Sequence, residues 1–138
     1  MNDDELRQAM ATLEAYKNQL NALTQQSQLL QMSFEETVRA NETLGAFAKA
    51  KEGDEILVPV GASSFVTAKV TASPKAVVGI GNKISVEKSI EEAIAFIGGN
   101  LEEIKDALTK LNESMQEMDA AARSLAAAVQ QEYQRRQQ

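Results

Sequence analysis

Residues 55–86 read EILVPVGASSFVTAKVTASPKAVVGIGNKISV, and nothing else in the 138-residue chain resembles them. β-Branched and aromatic residues come in short runs: Ile56-Leu57-Val58, Phe65-Val66-Thr67, Ala76-Val77-Val78 and Ile84-Ser85-Val86. Gly61-Ala62-Ser63-Ser64, Thr71-Ala72-Ser73-Pro74 and Gly81-Asn82-Lys83 separate them. Short apolar runs divided by turn formers predict four strands in two hairpins. On either side lies a long charged segment of helical period with very few glycines and no proline. The chain is therefore read as one domain over residues 1–138, with helix 1 at about 3–51, the hairpins at about 55–87 and helix 2 at about 89–136. The fold class is α+β and mostly α: a long antiparallel two-helix coiled coil with two β-hairpins between its helices.

The helical segments carry the clearest periodicity. From Leu6 the first repeats at steps of three and four through Ala9, Leu13, Tyr16, Leu20, Leu23, Ser27, Leu30, Phe34, Thr37, Asn41, Leu44 and Ala48. The spacing is that of a coiled-coil seam, not of a broad globular face. Asp3 or Asp4 suits the start of this helix, and Gly53 with Asp54 closes it. Ser89-Ile90-Glu91-Glu92 fits a capping box for helix 2. Its seam is apolar throughout: Ile90, Ile94, Ile97, Leu101, Ile104, Leu108, Leu111, Met115, Met118, Ala122, Leu125 and Val129. Gly98-Gly99 lies within it at a cost of about 1 kcal/mol each relative to alanine; a kink or a close approach would account for the pair.

Two seams of nearly equal length joined by a compact insert imply an antiparallel hairpin. A register in which facing residue numbers total 138 sets Leu13 against Leu125, Tyr16 against Ala122, Leu20 against Met118 and Phe34 against Ile104. The polar seam residues Ser27, Thr37 and Asn41 are expected to bond to backbone or water and to fix register at some loss of stability. Beyond Leu13 the match fails, because Leu6 would face Glu132. With Ala120–122 and Ala126–128 nearby, the helix ends are expected to be loosely zipped.

Two-stranded hairpins are not stable alone. Strand alternation places Ile56, Val58 and Val60 on one face, Val66 with Ala68 and Val70, and Val78 with Ile80. Such half-apolar ribbons with open edges need cover. They either pack on the base of their own helices or close with hairpins of other chains into an oligomeric β-barrel, which is the reading preferred. Val58, Val60, Phe65, Val66, Val70, Val78 and Ile80 are the candidate assembly residues. Lys69, Lys75, Lys83 and Lys88 read as strand-edge gatekeepers.

Composition excludes much else. A net charge of −6 argues against a nucleic-acid surface. With no histidine and no cysteine, the common nucleophile, base and metal constellations are missing, so no catalytic residue, metal or cofactor is expected. Glu35-Glu36, Glu91-Glu92 and Glu102-Glu103 lie off the seams as solvated helix faces. Gly79-Ile80-Gly81 begins like a dinucleotide loop, but Ile84 stands where a third glycine belongs. The acidic start Met1-Asn2-Asp3-Asp4-Glu5 is unlike a secretory signal, and no apolar run approaches a membrane span. A soluble, cytoplasmic protein is expected.

Leu57-Val58-Pro59-Val60-Gly61-Ala62-Ser63-Ser64-Phe65-Val66 in the first hairpin and Val86-Glu87-Lys88-Ser89-Ile90-Glu91-Glu92-Ala93 at the re-entry resemble the alpha class of prefoldin subunits, over essentially the whole chain. Two hairpins, as opposed to one, separate the alpha class from the beta class. The resemblance implies two such chains joining four beta subunits in a double β-barrel base with six coiled-coil tentacles. It further implies an ATP-independent holdase of archaeal type that captures unfolded client proteins and delivers them to a group II chaperonin. The alternative is a structural coiled-coil scaffold or tether. For a holdase, the candidate client-binding residues lie at the helix ends: Leu6, Met10 and Leu13 on helix 1, with Leu125, Val129 and Tyr133 on helix 2.

Overall fold

The computed structural model describes residues 1–138. In order they form α1 (Asp3–Lys49), β1 (Glu55–Gly61), β2 (Ser64–Lys69), β3 (Lys75–Gly81), β4 (Ile84–Ser89) and α2 (Ile90–Gln137). Two compact units share the helices. Met1–Phe34 with Ile104–Gln138 make the first, and Glu35–Glu103, with all four strands, make the second.

Both helices start where side chains satisfy their free amides. The Asn2 Oδ1 accepts the Glu5 N–H (2.8 Å) and Glu5 Oε2 accepts the Asn2 N–H (3.0 Å), a reciprocal box with Asn2 as the cap. The cap is thus one residue ahead of the expected aspartates, which instead supply charge to the first turn. At α2 the Ser89 hydroxyl accepts the Glu92 N–H at 3.2 Å, the N-cap half of the expected capping box.

The seams are visible as burial. In α1 every seam position from Leu6 to Leu44 is buried or half-buried, but Ala48 is exposed and Phe47 takes its place. Phe47 carries far more apolar area and lines a cavity of about 330 Å³ with Ile56, Val70 and Ile90, so the last turn rotates to present it. In α2 all twelve seam residues are buried or half-buried. Within the seam of α1, the Asn41 Oδ1 is buried with no protein hydrogen-bond partner, so the expected bond is not one to the backbone.

After α1 the chain turns through Lys51–Asp54. The Lys51 N–H donates to the Asp54 carboxylate (2.8 Å) and the Asp54 N–H to the Lys51 carbonyl (3.0 Å). Gly53, at φ +88°, donates to the Val70 carbonyl, and the Val70 N–H returns to the Asp54 carbonyl, which fastens the turn to the end of β2.

The two hairpins are separate antiparallel ribbons built alike. β1 pairs β2 from Glu55↔Lys69 to Gly61↔Ser64, and β3 pairs β4 from Lys75↔Ser89 to Gly81↔Ile84. Every pair of the second is the corresponding pair of the first displaced by twenty residues, a tandem repeat that sequence reading missed. In each, the register shifts at one residue before the turn, which takes Val60 and Ile80 out of the ladder. The turns need φ > 0 at Ala62, Ser63, Asn82 and Lys83, as two-residue hairpin loops do, and each follows a glycine at φ above +100°.

Glycines divide by role on this basis. Gly81→Ala is expected to cost about 1–2 kcal/mol, because its φ of +110° lies where a Cβ clashes with its own backbone. Gly98 and Gly99 sit in unbroken helix with nothing within 4 Å of an added Cβ. Gly98→Ala should therefore stabilise by about 1 kcal/mol. Thermal midpoints at fixed protein concentration test both signs, and a loss on Gly98→Ala would reveal a neighbour packed there from outside the chain.

Candidate functional site

The strands leave an apolar surface that their own unit does not cover. On one face of the first hairpin, Ile56 and Ala68 pair and are half-buried, while the next pair, Val58 and Val66, is exposed. The opposite face carries Leu57, Pro59 and Phe65, with Leu57 63% exposed. In the second hairpin Val78, paired with Val86, is buried, yet Val77 on the other face is 72% exposed, and Ile80 and Ile84 are exposed by the turn. Of the candidate assembly residues, Val58, Val60, Phe65, Val66 and Ile80 are therefore open, whereas Val70 and Val78 are already buried within the unit. Leu57, Val77 and Ile84 are equally open and were passed over. A single apolar face was assumed for each ribbon, whereas both faces of the first are apolar.

Lys88 departs from a simple edge charge. It is half-buried, and its Nζ lies 5.5 Å from the centre of the Phe96 ring, a cation–π contact across the strand-to-helix junction.

The helix ends form the second place of interest. Leu6 and Val129 are buried, Leu13 and Leu125 half-buried, and Met10 and Tyr133 exposed. The Tyr133 hydroxyl donates to the Met10 sulfur at 3.2 Å, so these two meet at the rim. One turn further in, the alanine-rich part of α2 leaves a groove of about 600 Å³ lined by Ala9, Tyr16, Ala121, Leu125 and Ala128.

Loose ends were expected here, but a charged network closes them. Glu132, one seam step beyond Val129, is 7% exposed. Arg135 donates to both its oxygens, through Nε at 3.1 Å and Nη2 at 2.5 Å, and the Arg136 Nε donates at 3.0 Å. Arg136 also reaches α1, donating through Nη1 to Asp3 Oδ1 (2.6 Å) and through Nη2 to the Met1 carbonyl (2.9 Å). The chain's first amine lies 3.5 Å from Glu132 Oε2. The two Arg136 contacts to Asp3 and Met1 fall within one position of the register that set Leu6 against Glu132. Hydrogen bonds from Arg135 and then Arg136 draw the Glu132 carboxyl from its ordinary 4.5 to about 2, against the opposing effect of desolvation.

No group of three or more acidic, cysteine or histidine side chains could hold a metal ion, and no helix is long and apolar enough to cross a membrane. Two long helices, paired hairpins with open apolar residues, and a small mixed apolar and charged surface at the helix ends are the features of a binding and assembly protein.

Comparison with known proteins makes the class specific. The family model described as prefoldin subunit matches residues 16–135. The chain is 33% identical over 110 residues to the prefoldin subunit alpha of Methanothrix thermoacetophila, covering 80% of this chain and 72% of that one. It is 33% identical over 119 residues to that of Pyrococcus horikoshii, covering 86% and 80%. Among solved structures, filamentous PFD from Methanocaldococcus jannaschii superposes with a TM-score of 0.70 at 28% identity, over 88% of this chain and 98% of that one. The prefoldin beta subunit from Thermococcus strain KS-1 gives 0.61 at 18% identity, covering 92% and 90%, and shares the fold.

The chain belongs to the prefoldin subunit family, and the relatives it matches are archaeal alpha subunits. Members of this family are chaperones and not enzymes, so a chaperone-type function follows from membership.

The Glu132 network gives a signed prediction. A carboxyl whose folded value lies below its unfolded one contributes its full stabilisation above about 4.5 and loses it as pH falls through about 2. The groups facing it are Arg135, Arg136 and the amine of Met1, with Asp3 beyond Arg136. Amide protection factors at the helix ends, with the intrinsic exchange rate divided out, should therefore fall as pH drops from 4.5 to 2, and Glu132→Gln should remove that part of the change.

Proposed function

We propose that this chain is the alpha subunit of an ATP-independent holdase, joined to beta-type subunits through its strands and capturing unfolded clients at its helix ends. The observation that carries the assembly half is the apolar surface of the hairpins. Leu57, Val58, Phe65, Val66 and Val77 are all more than two-fifths exposed in a chain with no other large apolar surface to place over them. Ribbons apolar on both faces leave large side chains open whichever face is covered, and open strand edges invite further strands. Two alpha and four beta chains would close these ribbons into a barrel base, with the helix pairs extending from it.

Met10 and Tyr133 support the capture half, since a flexible thioether and an aromatic ring stand exposed at the helix ends and adapt to varied partners. Each end would hold a client weakly, and several ends on one base would raise retention through effective concentration. Weak, separable contacts also suit transfer to a group II chaperonin without nucleotide hydrolysis.

A second reading has its own support. The likeness to a filamentous relative favours self-assembly through the strands into a scaffold. Mass measurement separates the two: the hexamer reading expects a defined complex only after addition of a beta-type subunit, and the scaffold reading expects growth of this chain alone.

Val66→Lys should abolish that complex while leaving helix content unchanged by circular dichroism. Met10→Ser with Tyr133→Ser should leave the complex intact and lower suppression of turbidity of a chemically unfolded model protein severalfold. Full protection by the doubly substituted complex would refute client capture at the helix ends.

A further inference from the structure

We propose that Glu132, Arg136 and Asp3 form a latch that holds the helix ends closed over Leu6 and Val129, and that client capture proceeds by opening it. The proposal rests on capture at the helix ends and adds a gate to it.

Three observations carry it. First, the seam of α2 is apolar at all twelve positions through Val129 and then places a carboxylate at the next one, where a leucine would continue the zipper. A buried charge at that point is tolerated only while it is paired. Second, Arg135 and Arg136 supply that pairing from the same helix, and the charged side-chain tie to α1 runs through Arg136, beside the Tyr133–Met10 contact. Its planar guanidinium spreads N–H groups over three acceptors at once: Glu132, Asp3 and the Met1 carbonyl. Third, what lies beneath is apolar. Leu6 is 7% exposed and Val129 is 8% exposed, while Met10 and Tyr133 stand outside at 44% each. The residues suited to first contact are thus already open, and the larger apolar contribution is covered.

The strength of the closure suits a gate. Asp3 is 82% exposed, so its pair with Arg136 is a surface ion pair, worth a few-fold in an equilibrium and weakened by salt. An apolar seam residue at 132 would close the ends more firmly and without salt dependence. A client that brings apolar side chains to Met10 and Tyr133 replaces the contacts Leu6 and Val129 make with each other's helices, and the Arg136 ties must break together with the longer Met1 amine–Glu132 and Tyr133–Met10 contacts.

Because the chain has no cysteine, Arg7→Cys and Gln131→Cys would be its only thiols, and spin labels there report the separation of the helix ends in the assembled complex. Asp3→Asn with Arg136→Gln should broaden the distance distribution toward longer values, raise the open fraction about threefold and weaken its dependence on salt. The same pair of substitutions should speed capture of an unfolded, fluorescently labelled model protein by a similar factor. Glu132→Leu should do the reverse, narrowing the distribution and slowing capture. A distribution and capture rate unchanged by Asp3→Asn with Arg136→Gln, in a complex of normal mass and helix content, would overturn the latch. Loss of capture in the Met10→Ser, Tyr133→Ser complex alongside that result would leave capture at the helix ends standing. Retained capture there would remove both.

Discussion

The structure turns on apolar strand surface that the chain cannot cover by itself. The first hairpin is apolar on both faces, with Val58 and Val66 on one side and Leu57, Pro59 and Phe65 on the other. A ribbon of two strands has no interior, so whichever face turns toward the helices leaves the other exposed. The small core of the strand-bearing unit, Val70, Val78, Ile90 and Ala93, is satisfied within the chain. It anchors the hairpins at their helical ends and leaves their turn ends open. The turns themselves are held in left-handed conformations by four residues that are not glycine, a strain that persists only where the surrounding ribbon fixes it. Fixed, open and apolar together describe a surface kept ready for another chain.

Much of this was legible beforehand because it rests on periodicity. A seam at steps of three and four survives in the structure from Leu6 to Leu44 and from Ile90 to Val129, since burial in a helix pair follows position along the chain more than detail of side chain. The hairpins were legible for a similar reason: Gly61 and Gly81 precede two-residue turns that few other sequences allow. What escaped depends on competition between neighbours. Phe47 displaces Ala48 because an aromatic ring one position away gains more by turning inward than an alanine does. Asn2 outbids Asp3 and Asp4 as a cap because Glu5 can close the reciprocal bond with it. The outer face of the first hairpin was missed because alternation was assumed to sort apolar from polar, which holds only for a ribbon with one wet side. The twenty-residue repeat was hidden because its halves share register and turn geometry more than residue identity.

The helix ends illustrate how a mismatch in sequence can be a device in structure. Leu6 opposite Glu132 looked like the point where the coiled coil gives up. Instead the carboxylate is buried, its acidity strengthened by two arginines, and the ends are drawn together by charge where apolar packing has run out. Charge and packing differ in how they fail. An apolar seam yields only by exposing its own area to water, at roughly 25 cal/mol for each square ångström. A paired charge near the surface yields to salt, to competing ions and to any partner that offers apolar contact beneath it. Closing the last turn by the second means, after twelve consecutive positions closed by the first, makes the ends the part of the helix pair that opens at least cost.

That gradient bears on how a chaperone subunit could hold clients without fuel. Firm seams inward of Leu13 on α1 and of Leu125 on α2 keep the helices paired while their ends exchange contacts, and the exposed Met10 and Tyr133 give an arriving chain somewhere to begin. Asn41 extends the same logic toward the strands: a polar side chain within an apolar seam sets register, because a slip would bring an apolar residue to its place. Register is thereby set far from the ends, where rigidity is harmless. The ends are left to be governed chiefly by one guanidinium, whose bonds to Asp3 and the Met1 carbonyl must be released before Leu6 and Val129 can be reached.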